Sequence, residues 1–300
     1  MMKKYIHQAA ATIRSNRIAL VAAVIAFMVP LHVHAQKLDV PYVGTPPEVV
    51  DKMLEAANVG PGDYVIDLGC GDGRIVIAAA EKGAFGHGVD LDPERLEEAR
   101  INATEAGVTD KVMFLKEDIF KTDFSRADVI TMYLLSTVNR RLRPKLLNKL
   151  EPGTRVVSHN FDMGDWQPDK YFRLDDSLPK VQDLTIDEQL ELVHHEVFLW
   201  IVPAKAEGLW KWQTNGRSFT MEIQQKFQQI HAEIISGNTR LTISNPRLVG
   251  KKISFTASDP KNGVHYAFNG RIRGNKIVGN VQIHGHKMKT INEWSARRSL

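Results

Sequence analysis

Two kinds of apolar pattern follow one another along this chain. Between residues 46 and 202, short β-branched or apolar runs alternate with segments whose apolar positions recur at helical spacing. Thr45 is the expected N-cap, with Pro46 in the first turn, of a helix that runs to about Val59. Further helices are predicted at 74–81, 93–107 and 138–150, and strands at 64–68, 85–90, 111–115, 127–135 and 154–159, with a late strand or hairpin within 189–202. Strands and helices that alternate and then end in strands predict an α/β fold with a doubly wound parallel sheet.

From about Gly208 onward the pattern changes, and apolar residues alternate with polar ones as in strands that bury one face. The expected turns are Gly237-Asn238, Asn262-Gly263, Asn269-Gly270 and Gly274-Asn275. This second pattern predicts a small antiparallel β-sandwich or barrel in the C-terminal part of the chain.

The charge balance reverses sign near Pro203. Residues 37–204 contain 19 Lys and Arg against 30 Asp and Glu, whereas residues 205–300 contain 16 against 5. We therefore predict one domain over 36–204 and a basic β domain over 205–300. The basic domain offers no catalytic constellation, but its charge suits an anionic surface or partner.

The N-terminus combines basic residues, an apolar run from Ile18 to Leu31, and the small-residue motif Val33-His34-Ala35. This order predicts a signal peptide over 1–35 and an exported, periplasmic protein. A retained inner-membrane anchor is the alternative, although the run is short for a membrane span. Cys70 is the single cysteine, so an internal disulfide is excluded, and we interpret it as a small packing residue.

A glycine-rich turn joins the first predicted strand to the second helix. Gly69, Gly71 and Gly73 alternate there, and Arg74 stands where a dinucleotide-binding turn would place its last glycine. Asp67 lies inside the strand, and Asp90 ends the next one, where a carboxylate can accept hydrogen bonds from a ribose. Together these residues resemble the S-adenosylmethionine site of class I methyltransferases, whose sheet is Rossmann-like.

That resemblance implies a cofactor site at the carboxyl ends of the strands. Asp118 would contact the adenine amino group and Ile119 would cover a face of the ring, although a solvated loop acid is the alternative reading of Asp118. The full set of expected S-adenosylmethionine ligands is Tyr42, Asp67, Gly69, Gly71, Gly73, Asp90, Leu91, Asp118 and Ile119.

The flanking segments carry a narrower resemblance. Pro41-Tyr42-Val43 with Thr45-Pro46, the run Gly71–Ala80, and Trp166-x-Pro168-Asp169 recur as a set in small lysine methyltransferases. Residues 41–170 thus resemble the mitochondrial enzymes that modify the ATP synthase c-subunit and the adenine nucleotide translocase, and their bacterial relatives. Tyr133-Leu134-Leu135 and the run Ser158–Asp162 depart from that group, and the β domain has no counterpart in it.

The resemblance implies methyl transfer to a protein lysine by in-line displacement. Residues expected to line the acceptor pocket are Thr45, Tyr133, Asn160 and Asp162, with Trp166 as an aromatic wall. Alternatives are a methyltransferase of a small molecule, lipid or nucleic acid, and a non-catalytic envelope scaffold. No metal is expected, because neither His194-His195-Glu196 nor His284-Gly285-His286 has the spacing of a familiar metal motif.

Overall fold

The computed structural model describes residues 43–174, 195–285 and 289–299. The predicted signal peptide and Tyr42 lie outside these ranges. None of the helices within them has the length and apolar character needed to cross a membrane.

The first part of the described chain is a seven-stranded sheet in the order β3-β2-β1-β4-β5-β7-β6. Strands β1 to β5 are parallel, whereas β7 runs antiparallel between β5 and β6. The helices are α1 (Pro47–Ala56), α2 (Arg74–Glu81), α3 (Pro93–Glu105) and α4 (Ser136–Lys149), and the strands are β1 (Tyr64–Leu68), β2 (Phe85–Asp90), β3 (Val112–Lys116), β4 (Val129–Met132), β5 (Arg155–His159), β6 (Lys170–Leu174) and β7 (His195–Ile201). The predicted α/β sheet is confirmed, and its order reverses between β1 and β4, where such sheets bind ligands.

Two local predictions in this part were wrong. The N-cap of α1 is Pro46, not Thr45, and no side chain caps the helix. Strand β4 ends at Met132, so that Tyr133 and Leu134 lie in the loop beyond it. Thr45 and Tyr133, which the sequence patterns assigned to a helix cap and to a strand, therefore lie in loops at the edge of the sheet.

The second part is a closed antiparallel barrel of eight strands, which confirms the predicted antiparallel β fold and selects the barrel over the sandwich. Its strands are β8 (Gly208–Thr214), β9 (Arg217–Lys226), β10 (Gln229–Ser236), β11 (Thr239–Val249), β12 (Lys252–Ser258), β13 (His265–Arg273), β14 (Lys276–His284) and β15 (Lys289–Ser299). Trp212, Phe255, Phe268 and Trp294 pack against one another in the interior, with ring centroids 4.8–5.8 Å apart. The barrel thus encloses an aromatic core.

The predicted turn at Asn269-Gly270 was also wrong, because both residues lie inside β13. Gly270 pairs with Gly279 of β14, and a Cβ at Gly270 would come within 2.9 Å of the Trp294 ring. The glycine is therefore needed for close packing in the barrel wall, not for a reversal of the chain.

The barrel meets the sheet through the turn between β9 and β10. Phe227 in that turn stacks on Trp166 with a centroid distance of 6.0 Å. The guanidinium of Arg143 in α4 lies 5.2 Å from the centroid of the Phe227 ring. The side-chain oxygen Oε1 of Gln228 accepts a hydrogen bond of 2.9 Å from the Trp166 indole. Trp166 is consequently completely buried at this junction.

Candidate active site at the carboxyl ends of the strands

A cavity opens where the carboxyl ends of β1, β2 and β4 meet. Eight residues singled out from the sequence line it: Thr45, Asp67, Gly69, Asp90, Leu91, Asp118, Ile119 and Tyr133. Other lining residues were not predicted as site residues, among them Gly44, Asp72, Arg74, Leu134 and Phe161. The parallel strands therefore bring together side chains that lie far apart in sequence.

The glycine turn is shaped by backbone conformations that favour glycine. Gly69, Gly71 and Gly73 have φ angles of 77°, 52° and 80°, in the left-handed region. Gly73 is also the N-cap of α2, and a Cβ there would approach the Phe114 ring within 2.7 Å, so a larger residue at this N-cap would clash with that ring. Gly69, Cys70 and Asp72 of this turn line the cavity, whereas Gly71 and Gly73 shape the backbone beside it.

Asp90 connects this turn to the end of β2. Its Oδ2 accepts a 2.9 Å hydrogen bond from the Gly71 amide, and its Oδ1 accepts one of 3.0 Å from the Asp92 amide. Each carboxylate oxygen retains a further lone pair, so Asp90 can accept hydrogen bonds from a diol without losing its own supports.

Asp67 is a buried carboxylate at the floor of the cavity. Burial, the largest cause, raises its pKa to about 7, with smaller contributions from Asp90 and Asp72. The Thr131 hydroxyl donates a 2.7 Å hydrogen bond to Oδ1 and partly opposes that rise. Asp67 is therefore poised to ionise when a cation binds beside it.

Cys70 lies in the same environment as Asp67, but its thiol does not ionise. Burial raises the pKa of its thiol well above the usual value, and the nearby Asp67 and Asp90 raise it further. The thiol stays protonated, as expected for a packing residue.

Asp118, just after β3, also lines the cavity. Its Oδ1 accepts a 2.9 Å hydrogen bond from the Phe120 amide, which fixes the carboxylate at the start of a turn. Ile119 is half-buried and packs against the core of the sheet. The pair offers a hydrogen-bond acceptor beside an apolar surface.

An arginine missed by sequence reasoning fastens the segment before α1 to the glycine turn. Arg74 forms a two-pronged ion pair with Asp72, at 2.6 and 2.9 Å, and donates a 2.9 Å hydrogen bond to the carbonyl of Thr45. A Cβ at Gly44 would lie 2.5 Å from the guanidinium, so the absence of a side chain at Gly44 lets Arg74 approach this closely. The clamp fixes Thr45 at the cavity wall.

The hydroxyl of Thr45, which does not cap α1, is hydrogen-bonded to a buried histidine. Thr45 Oγ1 lies 3.2 Å from His159 Nδ1, and His159 Nε2 lies 2.9 Å from His195 Nδ1. The Tyr133 ring packs on His159 with a centroid distance of 3.9 Å. Burial, with a smaller contribution from His195, lowers the pKa of His159 to about 3.

Three predicted acceptor residues are placed elsewhere. The backbone N–H of Asn160 donates a 2.7 Å hydrogen bond to the carbonyl of Glu196, and Oδ1 of Asn160 accepts one of 2.7 Å from the Glu196 amide. Oδ1 of Asp162 accepts a hydrogen bond from the Gly164 amide. Trp166 is completely buried against the barrel, so its ring cannot wall this cavity. Within the described residues, no cluster of three or more His, Cys, Asp or Glu side chains could hold a metal, and His194 and His286 lie outside those residues.

The donor set of the cavity fits S-adenosylmethionine. Its acidic lining residues are Asp67, Asp72, Asp90, Asp92 and Asp118, against Arg74 and Arg95. This excess of carboxylates favours a ligand with a sulfonium and an ammonium group. Asp90 and Asp118 offer carboxylate oxygens as hydrogen-bond acceptors in the lining. A Cβ at Gly69 would lie only 2.9 Å from the Leu134 side chain at the cavity wall.

Comparison with known proteins agrees with this chemistry. A family model described as the ANTKMT methyltransferase domain matches residues 67–170. The chain is 48% identical over 141 residues to a protein-lysine N-methyltransferase of Saccharolobus islandicus, covering 46% of this chain and 86% of the relative. It is 37% identical over 133 residues to the adenine nucleotide translocase lysine N-methyltransferase of Mus musculus, covering 44% and 58%.

Among solved structures, an RNA methyltransferase of Salinibacter ruber in complex with S-adenosyl-L-homocysteine has 46% sequence identity and a TM-score of 0.48. That match covers 54% of this chain and 95% of the other. The extent of the Saccharolobus match and the acidic cavity lead to one conclusion. The chain belongs to the methyltransferase family of these lysine N-methyltransferases and uses S-adenosylmethionine as its methyl donor.

Proposed function

We propose that the protein transfers a methyl group from S-adenosylmethionine to the side-chain amine of a protein lysine. The main support is the 48% identical relative, which is named a protein-lysine N-methyltransferase and is matched over 86% of its length. The cavity adds two features that suit a lysine: acidic groups for the amine, and the aromatic side chains of Tyr133 and Phe161 for its alkyl chain.

The residues of the cavity take specific roles in this proposal. Asp90 accepts hydrogen bonds from the ribose, Asp118 from the adenine amino group, and Asp67 balances the positive charge of the methionine moiety. S-adenosylmethionine supplies an electrophilic methyl carbon, so that the amine forms an N–C bond while the S–C bond breaks and its electron pair remains on sulfur. The protein's contribution is to align the amine with that carbon and to receive its proton.

The proposal is tested with methyl-tritiated S-adenosylmethionine, the purified protein and proteins of the source cell. We expect label in protein, at lysine residues that mass spectrometry identifies as methylated. The Asp90→Ala variant serves as the negative control. Label recovered only in lipid, nucleic acid or small molecules would transfer the proposal to those acceptors, and the absence of label in every fraction would favour a scaffold.

We also propose that residues 1–35 are a signal peptide, so that the mature protein is periplasmic. The support is the order of basic residues, apolar run and small-residue motif in the sequence. N-terminal sequencing of the protein from fractionated cells should find a start at Gln36. A start at Met1 in the membrane fraction would indicate the retained anchor.

The barrel suggests an anionic partner. Outward cations face one another directly across neighbouring strands, with Lys252 opposite Arg271, and Lys276 opposite both Arg273 and Arg297. Like charges in such register are unfavourable by themselves. We propose that this cationic row, defined by these five residues, binds an anionic surface.

A further inference from the structure

A continuous line of side chains leads from the cavity into the sheet. Thr45 lines the cavity, and its hydroxyl oxygen lies 3.2 Å from Nδ1 of His159. His159 is fully buried at the end of β5, and its Nε2 lies 2.9 Å from Nδ1 of His195 at the start of β7. Nothing in the cofactor site explains why two buried imidazoles should meet here.

The surroundings of His159 keep its ring neutral and oriented. Within the described residues, the titratable groups that face the ring are Tyr133, packed on it at 3.9 Å, and His195. Burial lowers the pKa of His159 to about 3, so the ring carries one proton at neutral pH and offers one donor and one acceptor. A neutral imidazole with both nitrogens bonded can pass a proton from one side to the other.

The proposed reaction needs such a path. A lysine amine has a pKa of about 10.4 in water, and its ammonium form has no lone pair with which to attack a methyl carbon. On the basis of the proposed function, we infer that Thr45, His159 and His195 form a proton relay that withdraws the ammonium proton of the acceptor lysine. Thr45 touches the amine and is the catalytic residue, whereas the two histidines act through it.

The proton transfers balance as follows. The ammonium gives a proton to Thr45 Oγ1, while the hydroxyl proton of Thr45 passes to Nδ1 of His159. The Nε2 proton of His159 moves to Nδ1 of His195, which becomes an imidazolium. Since His195 is 9% exposed, the additional proton finally leaves this residue to solvent. The amine keeps the electron pair of the broken N–H bond, and no further reactant is needed.

Kinetics against pH distinguish a relay from a structural role. With poly-L-lysine as the acceptor probe, Thr45→Val and His159→Gln should lower kcat at pH 7 by at least about 100-fold, the range of general base catalysis, while the KM for S-adenosylmethionine stays unchanged. At pH 9.5, where more of the amine is already free, the deficit should shrink below tenfold. Thr45→Ser, which keeps the hydroxyl, should recover most of the activity.

Matched controls exist in β2 and directly before β5. His87 is a buried histidine of β2 bonded to Tyr64, and Thr154 is a buried threonine bonded to a backbone carbonyl. His87→Gln and Thr154→Val should leave kcat and its pH profile unchanged. If the kcat deficit of Thr45→Val were equal at pH 7 and pH 9.5, the relay would be overturned. The same conclusion would follow if either control variant showed the deficit and pH dependence expected of Thr45→Val.

A second measurement does not depend on methyl transfer. NMR of protein labelled with nitrogen-15 histidine, with S-adenosylhomocysteine bound and His159 assigned from the His159→Gln spectrum, reports which ring nitrogen is protonated. The relay requires His159 to carry its proton on Nε2 throughout pH 6–9. A proton on Nδ1 would overturn the relay even in an active enzyme. If wild-type protein leaves poly-L-lysine unmethylated, the proposed function fails on that probe and the NMR result still decides the relay.

Discussion

The sheet and the barrel differ in what they bury. Of the 14 buried polar or charged residues in the described chain, 11 lie between Thr45 and His195, and three lie in the barrel. The barrel instead buries rings, with Trp212, Phe268 and Trp294 in mutual contact. Buried polar groups cost stability unless they are paired, so their concentration in the sheet marks the region where chemistry, and not packing alone, selects the residues.

The largest expected effect tests whether the barrel is held by its aromatic core. Trp294→Ala should lower the free energy of unfolding by about 3–5 kcal/mol, because the ring is completely buried and its neighbours cannot fill the space. Urea unfolding followed by fluorescence and circular dichroism measures the change, with Trp294→Phe as a milder control. If affinity for S-adenosylhomocysteine fell in folded Trp294→Ala protein, the two regions would not be as separate as their cores suggest.

The next effect tests the cofactor role of Asp90. Asp90→Ala should weaken S-adenosylhomocysteine about 100-fold in calorimetric titration, because two hydrogen bonds to a charged acceptor are lost at about 1.5–3 kcal/mol each and are partly replaced by water. Asp110→Ala, which removes an exposed acid from the turn before β3, is the control. Unchanged affinity in Asp90→Ala would contradict the assignment.

The sequence patterns predicted several of the residues that line the cavity because these residues stand at or near the ends of predicted strands. Asp90 ends a predicted strand, Gly69 and Asp118 follow two others, and parallel strands bring their carboxyl ends to one edge. The acceptor half depends on contacts between segments far apart in sequence. Thr45 and His159 are 114 positions apart, and a threonine before two prolines reads more simply as a helix cap.

Trp166 is a second residue whose position depends on a contact with a segment far away in sequence. Its motif predicted an aromatic wall for the acceptor, but its partner is Phe227, 61 residues further on in the barrel. Strand β6 was missed as well, because its burial alternates weakly between exposed and half-buried positions. Contacts between domains leave little trace in local periodicity.

A smaller effect concerns the pH dependence of cofactor binding through Asp67. Its pKa of about 7 in the folded protein lies above the ordinary value of 3.8, so the folded state holds a proton that the unfolded state has lost. Stability contributed by this group therefore falls as pH rises from about 4 to 7. A cationic ligand favours the ionised form, so S-adenosylmethionine should bind about tenfold more weakly at pH 6 than at pH 8.

Asp67→Asn separates this explanation from a general pH effect. The variant should bind S-adenosylmethionine more weakly than wild type at pH 8 and should lose the pH dependence between 6 and 8. Its unfolding free energy should exceed that of wild type above pH 7, since an amide needs no proton to remain neutral. Calorimetric titration and urea unfolding at both pH values measure these changes. A pH dependence retained in Asp67→Asn would assign the effect to another group.

The smallest effect on stability tests the cationic row of the barrel. Lys276 stands opposite Arg273 and Arg297, so Lys276→Gln should raise the unfolding free energy by about 0.5 kcal/mol or less. The same change should weaken binding to vesicles containing anionic phospholipid and make that binding less sensitive to salt. Lys261→Gln removes an equal charge from an exposed turn of the barrel and should change neither property. If both variants weakened vesicle binding equally, net charge and not the cross-strand row would explain the binding. If the wild-type protein retained single-stranded RNA but not vesicles, its partner would be identified as a nucleic acid.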